Sequence, residues 1–468
     1  MMNRYKEFSD NTYKISLPES VEFILNKLNN AGFEAFIIGG CVRDSLLQQM
    51  NNGIKKEVYD WDITTSATPD ETIEVFKEYT LVKNAVKYGT VSVILDGITY
   101  EMTAYRRDAG YSNNRQPDSI SFANSLIEDC ERRDFTINAI AYSHETGVID
   151  IFNGMNDLKS GIIKCIGNAD DRFKEDALRI LRALRFSSTF DFKIEDGTSC
   201  AIFKNKNLLD NISGERKFME LSKIANTLHM ANMLSYYKEI LFQIIPKFKD
   251  SEGFDQMNPH HKYDVLSHIL KAVKFACHRE CNKYVVLAAL FHDIGKPDTF
   301  EIINGVGTFR YHVVRSEELT REILSGFNCS NEIKDRICFL ISMHDVHYPD
   351  TMTSARRFVA KYSQEQIDDL YELKMCDLLA HADITIELYM PLRIKSIALL
   401  AKAKSDMEKE NAAFTVKDLD INGDDLIAIG IKPGKELGLI LNSMLDSVIS
   451  GHVENQRDKL ITLIPVIN

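Results

Sequence analysis

The sequence contains no apolar run long enough to cross a membrane. The longest one, residues 284–291, has about eight residues, whereas a membrane helix needs about 20. The polar N-terminus of mixed charge offers no apolar core for a secretory leader. Lys and Arg total 56 against 68 Asp and Glu, for a net charge of −12. This acidic balance excludes a generic polybasic nucleic-acid binder, although it leaves room for a local basic groove.

The sequence also lacks the CxxC motif. Nine cysteines are scattered through 468 residues, and none belongs to a CxxC pair. An odd number without a leader is typical of reduced thiols, so we predict a cytoplasmic location. Cys277 and Cys281 would share a helical face beside His278, but no second cysteine–histidine pair lies at zinc-finger spacing. Buried or idle thiols are therefore favoured over a zinc site.

The period of the hydrophobic pattern changes along the chain. Hydrophobic residues make up 44% and charged residues 26%, an ordinary globular composition with material for more than one core. After a helical start over residues 1–30, strand patterns extend to about residue 165 and include the hairpin signal Asp96-Gly97. Two later strands are predicted at residues 148–152 and 162–166, joined by a turn. From about residue 172 the period is helical almost to the end.

These patterns predict an α/β head followed by an all-α neck, body and tail. The clearest composition break, residues 247–261, is expected to separate two domains. The predicted boundaries are 1–165 for the head, 166–250 for the helical neck, 251–400 for a helical domain and 401–468 for the tail.

The first candidate motif is a glycine turn between a predicted strand and a predicted helix. Gly39 and Gly40 follow the apolar run 35–38 and precede Arg43. Glycines let backbone N–H groups approach an anion closely, and a helix N-terminus adds positive potential. Arg43 adds a full charge, so the turn suits phosphate binding, although a plain strand–turn–helix joint would carry the same residues.

Asp60-Trp61-Asp62 is the candidate metal site. Residues two apart in a strand share a face, so both aspartates would point into a cleft while Trp61 packs. Adjacent carboxylates repel unless a cation lies between them, and such hard oxygen ligands suit Mg²⁺. Glu101 could add a third carboxylate to a two-metal site, but the sequence alone does not place it beside Asp60. Solvated surface aspartates are the alternative interpretation.

Two later segments carry arginines at spacings that suit a nucleotide. Arg132 and Arg133, flanked by acids, could bind phosphate oxygens bidentately. Further along, one helical stripe would present a carboxylate acceptor and several guanidinium donors, the groups needed to read the edge of a base. A solvated helix face is the alternative in both cases. The stripe consists of Asp176, Arg179, Arg182 and Arg185.

Taken in order, these segments resemble the class II tRNA nucleotidyltransferases, or CCA-adding enzymes, and the bacterial poly(A) polymerases. The detailed resemblance spans about residues 20–225. Residues 107–112 resemble the mobile loop of that family, whereas the polar stretch 47–58 departs from its pattern as an insertion. The motifs that carry the resemblance are residues 39–44, 60–62, 132–139, 175–179 and 216–221.

The resemblance implies a nucleotidyltransferase-fold sheet and template-independent addition of CCA to tRNA 3′ ends from CTP and ATP. Asp60 and Asp62 would bind two Mg²⁺ ions, with Glu101 as a further catalytic candidate. Asp176 and Arg179 would select the base. The residues implied in nucleotide binding are Gly39, Gly40, Arg43, Arg132, Arg133, Asp134, Asn138, Glu175, Asp176, Arg179, Arg182 and Arg185.

A second chemistry is indicated in the helical body. A His-Asp pair ends the apolar run 284–291 and precedes Gly295-Lys296-Pro297, in an order that resembles HD-domain metal phosphohydrolases. Imidazole and carboxylate together suit Ni²⁺, Mn²⁺ or Co²⁺ better than Mg²⁺. Hydrogen-bonded histidines at capped helices are the structural alternative, and a bystander role is favoured for both His312 and His344. The predicted ligands are His268, His292, Asp293 and Asp377.

Three other functions remain open at the level of sequence. A poly(A) polymerase or A-only enzyme fits the head motifs equally well. An HD phosphohydrolase with a nucleotide-sensing head is disfavoured, because a sensor does not need paired metal carboxylates. A non-catalytic RNA-binding module fits an acidic chain with complete motifs poorly. The leading prediction is an enzyme that acts on tRNA with CTP and ATP, without membrane association; the sequence does not indicate the oligomeric state.

Overall fold

The structure, a computed structural model, describes residues 5–50, 58, 60–109, 119–410 and 412–464. Most of the predicted insertion and residues 110–112 of the loop resemblance lie outside the described residues. The chain divides into two units, residues 1–246 and residues 247–468, and this division falls where the composition break begins. The finer four-part division stays a prediction. Among the described residues, no helix combines the length and apolar character needed to cross a bilayer.

The first unit is built on a mixed sheet of eight strands in the order β1-β10-β9-β2-β3-β6-β5-β4. Neighbouring strands run antiparallel except β3 and β6, which are parallel. The strands of the unit are β1 (Ser9–Asp10), β2 (Ala35–Ile38), β3 (Ile63–Thr65), β4 (Thr80–Val82), β5 (Thr90–Leu95), β6 (Ile98–Ala104), β7 (Arg106–Ala109), β8 (Ser119–Phe122), β9 (Ile140–Ser143), β10 (Gly147–Asp150), β11 (Ile162–Ile163) and β12 (Lys193–Ile194).

The strand pairs β7–β8 and β11–β12 lie outside this sheet. The unit also contains eleven α-helices among its described residues. They are α1 (Glu19–Asn30), α2 (Gly40–Met50), α3 (Pro69–Val75), α4 (Leu126–Glu131), α5 (Gly154–Ser160), α6 (Ala169–Glu175), α7 (Leu178–Phe190), α8 (Asp196–Asn205), α9 (Gly214–Ile224), α10 (Met230–Tyr236) and α11 (Lys238–Ile244). The predicted α/β head followed by helices is therefore confirmed.

The hairpin between β5 and β6 forms where the dipeptide Asp96-Gly97 predicts it. Leu95 pairs with Ile98, which leaves a two-residue loop. Asp96 has φ 51° and Gly97 has φ 78°, and two positive φ values are the requirement of a type I′ turn. This turn fixes the register of β6, the strand that carries Glu101.

Two local expectations were wrong. The predicted N-terminal helix begins only at Glu19, because a proline restricts the residue before it to extended conformations and Pro18 directly precedes the helix. The strands near residues 150 and 162 are separated by helix α5 and not by a turn. Asp150 initiates that helix by accepting the N–H groups of Gly154 and Met155 at 2.7 and 2.9 Å.

In the described residues of the second unit, helices are accompanied by one short hairpin, β13 (Glu301–Ile303) and β14 (Val306–Thr308). Every side chain from Val285 to Phe291 is buried, so the apolar run forms a central helix that packs on all sides. The helices are α12 (Val265–His278), α13 (Lys283–Phe291), α14 (His312–Gly326), α15 (Asn331–Met343), α16 (Met352–Lys361), α17 (Gln364–Leu379), α18 (Asp383–Lys409), α19 (Gly423–Ala428), α20 (Lys435–Ile449) and α21 (Arg457–Ile461).

Candidate functional site

The candidate metal ligands Asp60 and Asp62 lie immediately before β3 and not inside it, because the strand begins only at Ile63. The expected alternation nevertheless extends through them: Asp60 and Asp62 are exposed, whereas Trp61 and Ile63 are buried. The carbonyl of Asp62 accepts the N–H of Ile38 at 3.0 Å, so the neighbouring strand β2 holds the backbone of the pair.

Glu101 is brought to the same place by strand pairing. β3 and β6 run parallel with Ile63 opposite Met102, which sets Asp62 level with Glu101. Desolvation by the surrounding protein atoms in the cleft, with the neighbouring carboxylates of Asp60 and Glu101, raises the pKa of Asp62 above its ordinary value, although Arg133 opposes them. Three carboxylates grouped in this way form a set of oxygen donors that suits a divalent cation.

The glycine turn lies against this carboxylate group. Gly39 has φ +87°, a conformation that favours glycine, and a Cβ there would lie 3.2 Å from Nη1 of Arg133 and 3.9 Å from Oδ2 of Asp62. Helix α2 begins at the next residue, so its first N–H groups and Arg133 are close to the aspartates. The arrangement suits an anion bound beside a metal ion.

A buried carboxylate holds the two consecutive arginines. Asp129 is fully buried and lies 2.7 Å from Nη2 of Arg132 and 3.4 Å from Nη2 of Arg133. Burial raises the pKa of Asp129, but the two guanidinium groups outweigh it and keep the pKa below its ordinary value. The acid therefore stays charged and orients both arginines.

A second chain of contacts extends from the glycine helix to α7. Arg43 hydrogen-bonds Oδ1 of Asn138, and Nδ2 of Asn138 donates to Asp134 at 3.0 Å. Nε of Arg182 donates to the other oxygen of Asp134 at 2.8 Å. The guanidinium carbon of Arg43 also lies 5.0 Å from the ring centroid of Phe186. Four predicted nucleotide-binding residues thus form one network.

The predicted helical stripe is interrupted, which corrects the expectation for Asp176. Helix α6 ends at Glu175, and Asp176 adopts an extended conformation with φ −138° before α7 begins. Its Oδ1 accepts the N–H of Leu178 at 3.1 Å, which helps to start the new helix. Arg179 remains close, because it donates to Glu175 and to the carbonyl of Arg132, each at 2.7 Å.

Sequence reasoning missed the partners of this region on α9. Arg216 donates to Oδ2 of Asp176 at 3.1 Å, and Nε of Arg185 lies 2.8 Å from the buried Oε2 of Glu220. Arg216 and Glu220 are four residues apart and therefore share a helix face. The four-residue spacing of Arg216 and Glu220, within the motif 216–221, is the sequence signal that could have identified both residues.

The second unit contains a separate cluster of histidines and aspartates. His268 on α12 has Nε2 3.0 Å from Oδ1 of Asp377 and 3.3 Å from Oδ2 of Asp293. His292, at the end of α13, has Nε2 3.3 Å from the same Asp293 oxygen and 3.5 Å from Asp377. The structure thus brings together all four ligands predicted for this region.

The orientation of the imidazoles fits a metal ion. Nδ1 of His268 lies 3.2 Å from the carbonyl of Ala380, and Nδ1 of His292 lies 2.8 Å from that of Ala289. A carbonyl only accepts, so each Nδ1 carries the proton and each Nε2 faces the centre. Neighbouring ligand atoms are 3.0 to 3.5 Å apart. Octahedral or tetrahedral geometry with bonds of about 2.1 Å requires about 3.0–3.4 Å.

Burial lowers the pKa of His292, but the carboxylates of Asp293 and Asp377 outweigh it and raise the pKa to about 10. The cluster therefore attracts positive charge.

The thiols are grouped differently from the pair considered in the sequence. Cys281 lies close to Glu372 and Cys376, and Cys277 is not part of that group. None of the nine cysteines forms a disulfide.

Three family models match the chain. The poly(A) polymerase head domain matches residues 35–164, the RNA- and SrmB-binding site of polymerase A matches residues 191–240, and tRNA nucleotidyltransferase domain 2 matches residues 307–464. Together with the carboxylate site on a mixed sheet, these matches define the class: a nucleotidyltransferase with a poly(A)-polymerase-type head.

Full-length relatives specify the family. The chain is 33% identical over 451 residues to the CCA-adding enzyme of Ligilactobacillus salivarius, covering 96% of this chain and 95% of that protein. It is 32% identical over 436 residues to the CCA-adding enzyme of Lactobacillus delbrueckii subsp. bulgaricus, covering 93% of this chain and 94% of that protein. The chain belongs to the CCA-adding enzyme family.

A solved structure agrees with this assignment. The crystal structure of the Bacillus stearothermophilus CCA-adding enzyme in complex with CTP has a TM-score of 0.68 at 25% identity and covers 96% of this chain and 97% of that one. The predicted family, enzyme class and fold class are therefore confirmed. Family membership implies dependence on a divalent metal ion. The three model matches do not extend over residues 241–306.

Proposed function

We propose that this chain adds CCA to tRNA 3′ ends, using CTP and ATP and releasing pyrophosphate. The observation that carries the proposal is the convergence of Asp60, Asp62 and Glu101 beside a glycine turn and Arg133. Relatives that match over nearly the whole chain are CCA-adding enzymes, which favours CCA addition over the poly(A) and A-only alternatives. The cytoplasmic location stays a prediction.

The carboxylates account for the metal requirement. Asp60 and Asp62, with Glu101 beside them, would hold two Mg²⁺ ions, which would activate the RNA 3′-hydroxyl and neutralise charge on the leaving group. The 3′-oxygen attacks the α-phosphorus, the bond to the bridging oxygen breaks, and pyrophosphate leaves. The hydroxyl proton passes to solvent.

Positioning of the triphosphate falls to the glycine turn and the arginines. The N–H groups that begin α2, with Arg43 and Arg133, face the side of the site where phosphate oxygens would lie next to the carboxylates. Because Asp129 holds Arg132 and Arg133 in place, these donors require little reorganisation when the nucleotide binds.

Base selection is assigned to the break between α6 and α7. Asp176 offers acceptor oxygens and Arg179 offers donors, and together they can complement the edge of cytosine or of adenine. Arg216 and Glu175 orient these two side chains through the contacts described above. No RNA template is needed, because the protein itself supplies the complementary groups.

The test uses purified enzyme with tRNA transcripts that end before CCA or after CC, and labelled CTP and ATP. We expect two C residues and one A on the first transcript and one A on the second. A long A tail on either transcript would establish a poly(A) polymerase. Addition of A to the second transcript only, with no use of CTP, would establish an A-only enzyme.

We also propose a second function for the cluster in the second unit: hydrolysis of phosphate esters with Ni²⁺, Mn²⁺ or Co²⁺. The observation that favours it is the spacing of the ligand atoms of His268, His292, Asp293 and Asp377. Water attacks phosphorus, one ester P–O bond breaks, and the leaving alkoxide takes a proton.

Asp293→Ala tests this second function. The variant should lose metal and hydrolysis of a 2′,3′-cyclic nucleotide while CCA addition persists, because the first unit holds its own carboxylates. Wild-type protein that carries no transition metal and hydrolyses no ester would establish a structural cluster instead. Loss of CCA addition in a folded Asp293→Ala protein would show that the two sites are coupled.

A further inference from the structure

One aromatic ring on α7 has three guanidinium groups around it. The guanidinium carbons of Arg43, Arg182 and Arg185 lie 5.0, 5.4 and 4.4 Å from the ring centroid of Phe186. A guanidinium within about 6 Å of a ring centroid is attracted by the negative face of the ring. Phe186 is only 5% exposed, so these contacts are largely desolvated. The ring therefore contributes electrostatically as well as through apolar packing.

A second ring of α7 also contacts Arg43. The guanidinium carbon of Arg43 lies 4.8 Å from the ring centroid of Phe190. The rings of Phe186 and Phe190 are parallel to within 5°, and their centroids are 6.1 Å apart. Because the two residues are four apart in a helix, they share a face of α7. This face thus provides an aromatic surface for an arginine that belongs to α2.

Each of the three guanidinium groups also has a carboxylate at ion-pair distance. The pairs are Arg43–Asp44 at 2.8 Å, Arg182–Asp134 at 2.7 Å and Arg185–Glu220 at 2.8 Å. The cations still repel one another: burial lowers the pKa of Arg185, and the positive charges of Arg182 and Arg43 lower it further, although Glu220 opposes the shift. The ring of Phe186 lies among these charges and offsets part of their repulsion.

The aromatic contact restricts where the guanidinium of Arg43 can lie. Nη1 of Arg43 donates to Oδ1 of Asn138, and Nη2 lies 3.7 Å from the position that a Cβ of Gly40 would take. The ring contacts the face of the guanidinium and takes none of its N–H groups. The contact therefore holds the group beside the glycine turn without competing with phosphate oxygens for its donors.

The same helix carries the arginine assigned to base selection. Arg179 and Phe186 are seven residues apart in α7, which is two helical turns, or about 10 Å along the axis. One rigid helix thus sets the position of Arg179 directly and that of Arg43 through Phe186. A nucleotide whose base and triphosphate are bound at the same time requires such a fixed separation.

We propose that Phe186 is a positioning residue for nucleotide binding: its ring holds the guanidinium of Arg43 where the triphosphate binds and ties it to the base-reading helix. Phe190 supports the same guanidinium from the next turn. The inference rests on the proposed nucleotidyl transfer and adds the means by which α7 fixes the triphosphate. Phe186 acts through Arg43 and is assigned no contact with the nucleotide.

The test changes the electrostatics of the ring and keeps its shape. Phe186 is replaced by phenylalanine that carries one, two or three ring fluorines, which withdraw electron density from the ring face with little change in volume. KM for CTP and for ATP is measured with tRNA transcripts that end before CCA and after CC. We expect KM to rise stepwise, by about fivefold for three fluorines. The value of kcat should stay within about twofold, because the contact serves ground state and transition state alike.

Phe36 provides the matched control. It is also 5% exposed, but it packs against the ring of Tyr5 in the apolar core beside the sheet. Fluorines on Phe36 should leave KM unchanged. Phe186→Leu, which keeps an apolar side chain without a ring, is a second variant and should raise KM at least as much as three fluorines.

Arg43→Gln identifies the partner through which the ring acts. This variant should have a raised KM from the start, and fluorination of Phe186 in the same protein should raise KM no further. A fluorine effect that persists in Arg43→Gln protein would assign it to Arg182 or Arg185 and overturn the inference. A KM that does not change with fluorine number would show that Phe186 only packs, and would overturn it as well.

Calorimetric titration with CTP and Mg²⁺ separates this inference from the proposed function. Wild-type protein that adds no nucleotide to tRNA, but binds CTP with an affinity that falls with fluorine number, would overturn the transferase proposal and leave the role of Phe186 standing. Wild-type protein that binds neither CTP nor ATP would overturn both.

Discussion

Arg182 donates its Nε–H to Oδ2 of Asp134 over 2.8 Å, and this ion pair joins α7 to the segment between α4 and β9. Asp134 is only 8% exposed, and its other oxygen accepts Nδ2 of Asn138. Burial raises the pKa of Asp134, but Arg182 and these hydrogen bonds outweigh it and lower the pKa to about 2. The carboxylate therefore stabilises the fold in its charged form.

Stability should depend on pH through this group. A lowered pKa contributes stability that is present above the ordinary value near 3.8 and is lost as the pH falls through about 2. Asp134→Asn should therefore cost about 2 kcal/mol at neutral pH, and the difference from wild type should shrink between pH 4 and pH 2.

The measurement is urea unfolding followed by tryptophan fluorescence, since Trp61 is the single tryptophan and lies in the first unit. Glu74→Gln, which removes an exposed ion pair with Lys77, is the control and should change the transition little. An Asp134→Asn deficit that is constant from pH 7 to pH 2 would contradict the assigned role.

Asp62→Ala should lower the rate of nucleotide addition by about 10³-fold or more, because Asp62 would position both catalytic ions. The fold and tRNA binding should be retained, since the side chain is exposed and contributes little packing. The rate is measured with tRNA ending in CC and ATP, and Asp70→Ala, an exposed aspartate on α3, is the control. A tenth of the wild-type rate in folded Asp62→Ala protein would refute the assignment.

Gly39→Ala should weaken nucleotide binding as well as stability. The residue has φ +87°, and the new Cβ would lie 3.2 Å from Nη1 of Arg133, so both strain and displacement of Arg133 follow. We expect KM for ATP to rise about tenfold, which corresponds to about 1.4 kcal/mol of lost binding.

Gly97→Ala provides the matched comparison for this prediction. Gly97 has φ +78°, but a Cβ there meets no atom within 4 Å and lies in the hairpin turn. It should cost stability with KM unchanged. Equal KM values for the two variants would show that Gly39 serves the backbone turn alone.

Arg179→Ala should impair nucleotide choice more than triphosphate binding. A good bidentate contact to a base provides about 1–3 kcal/mol of discrimination, so incorporation of UTP and GTP should rise relative to CTP and ATP. Lys174→Ala, at a neighbouring exposed position, is the control. Equal loss with all four nucleotides would identify Arg179 as a scaffold residue that holds Glu175 and the carbonyl of Arg132.

Local sequence determined much of this protein. The Asp96-Gly97 turn, the buried helix 283–291 and the alternation around Trp61 depend on residues adjacent in the chain, and all three are present in the structure. The ordered motifs identified the family because motif order survives when overall identity is low. Their residue types also specified the chemistry: oxygen donors in the first unit and mixed nitrogen and oxygen donors in the second.

Only the tertiary structure decided which distant residues meet. Glu101 joins Asp62 through the parallel pairing of β3 and β6, and a pairing partner cannot be read from either strand alone. His312 and His344 lie near Asp293 because α14 begins and α15 ends beside it. Asp176, at the break between α6 and α7, accepts a hydrogen bond from Arg216, 40 residues away. Such contacts follow from the packing of whole elements, whereas sequence periodicity reports only which face of an element is apolar.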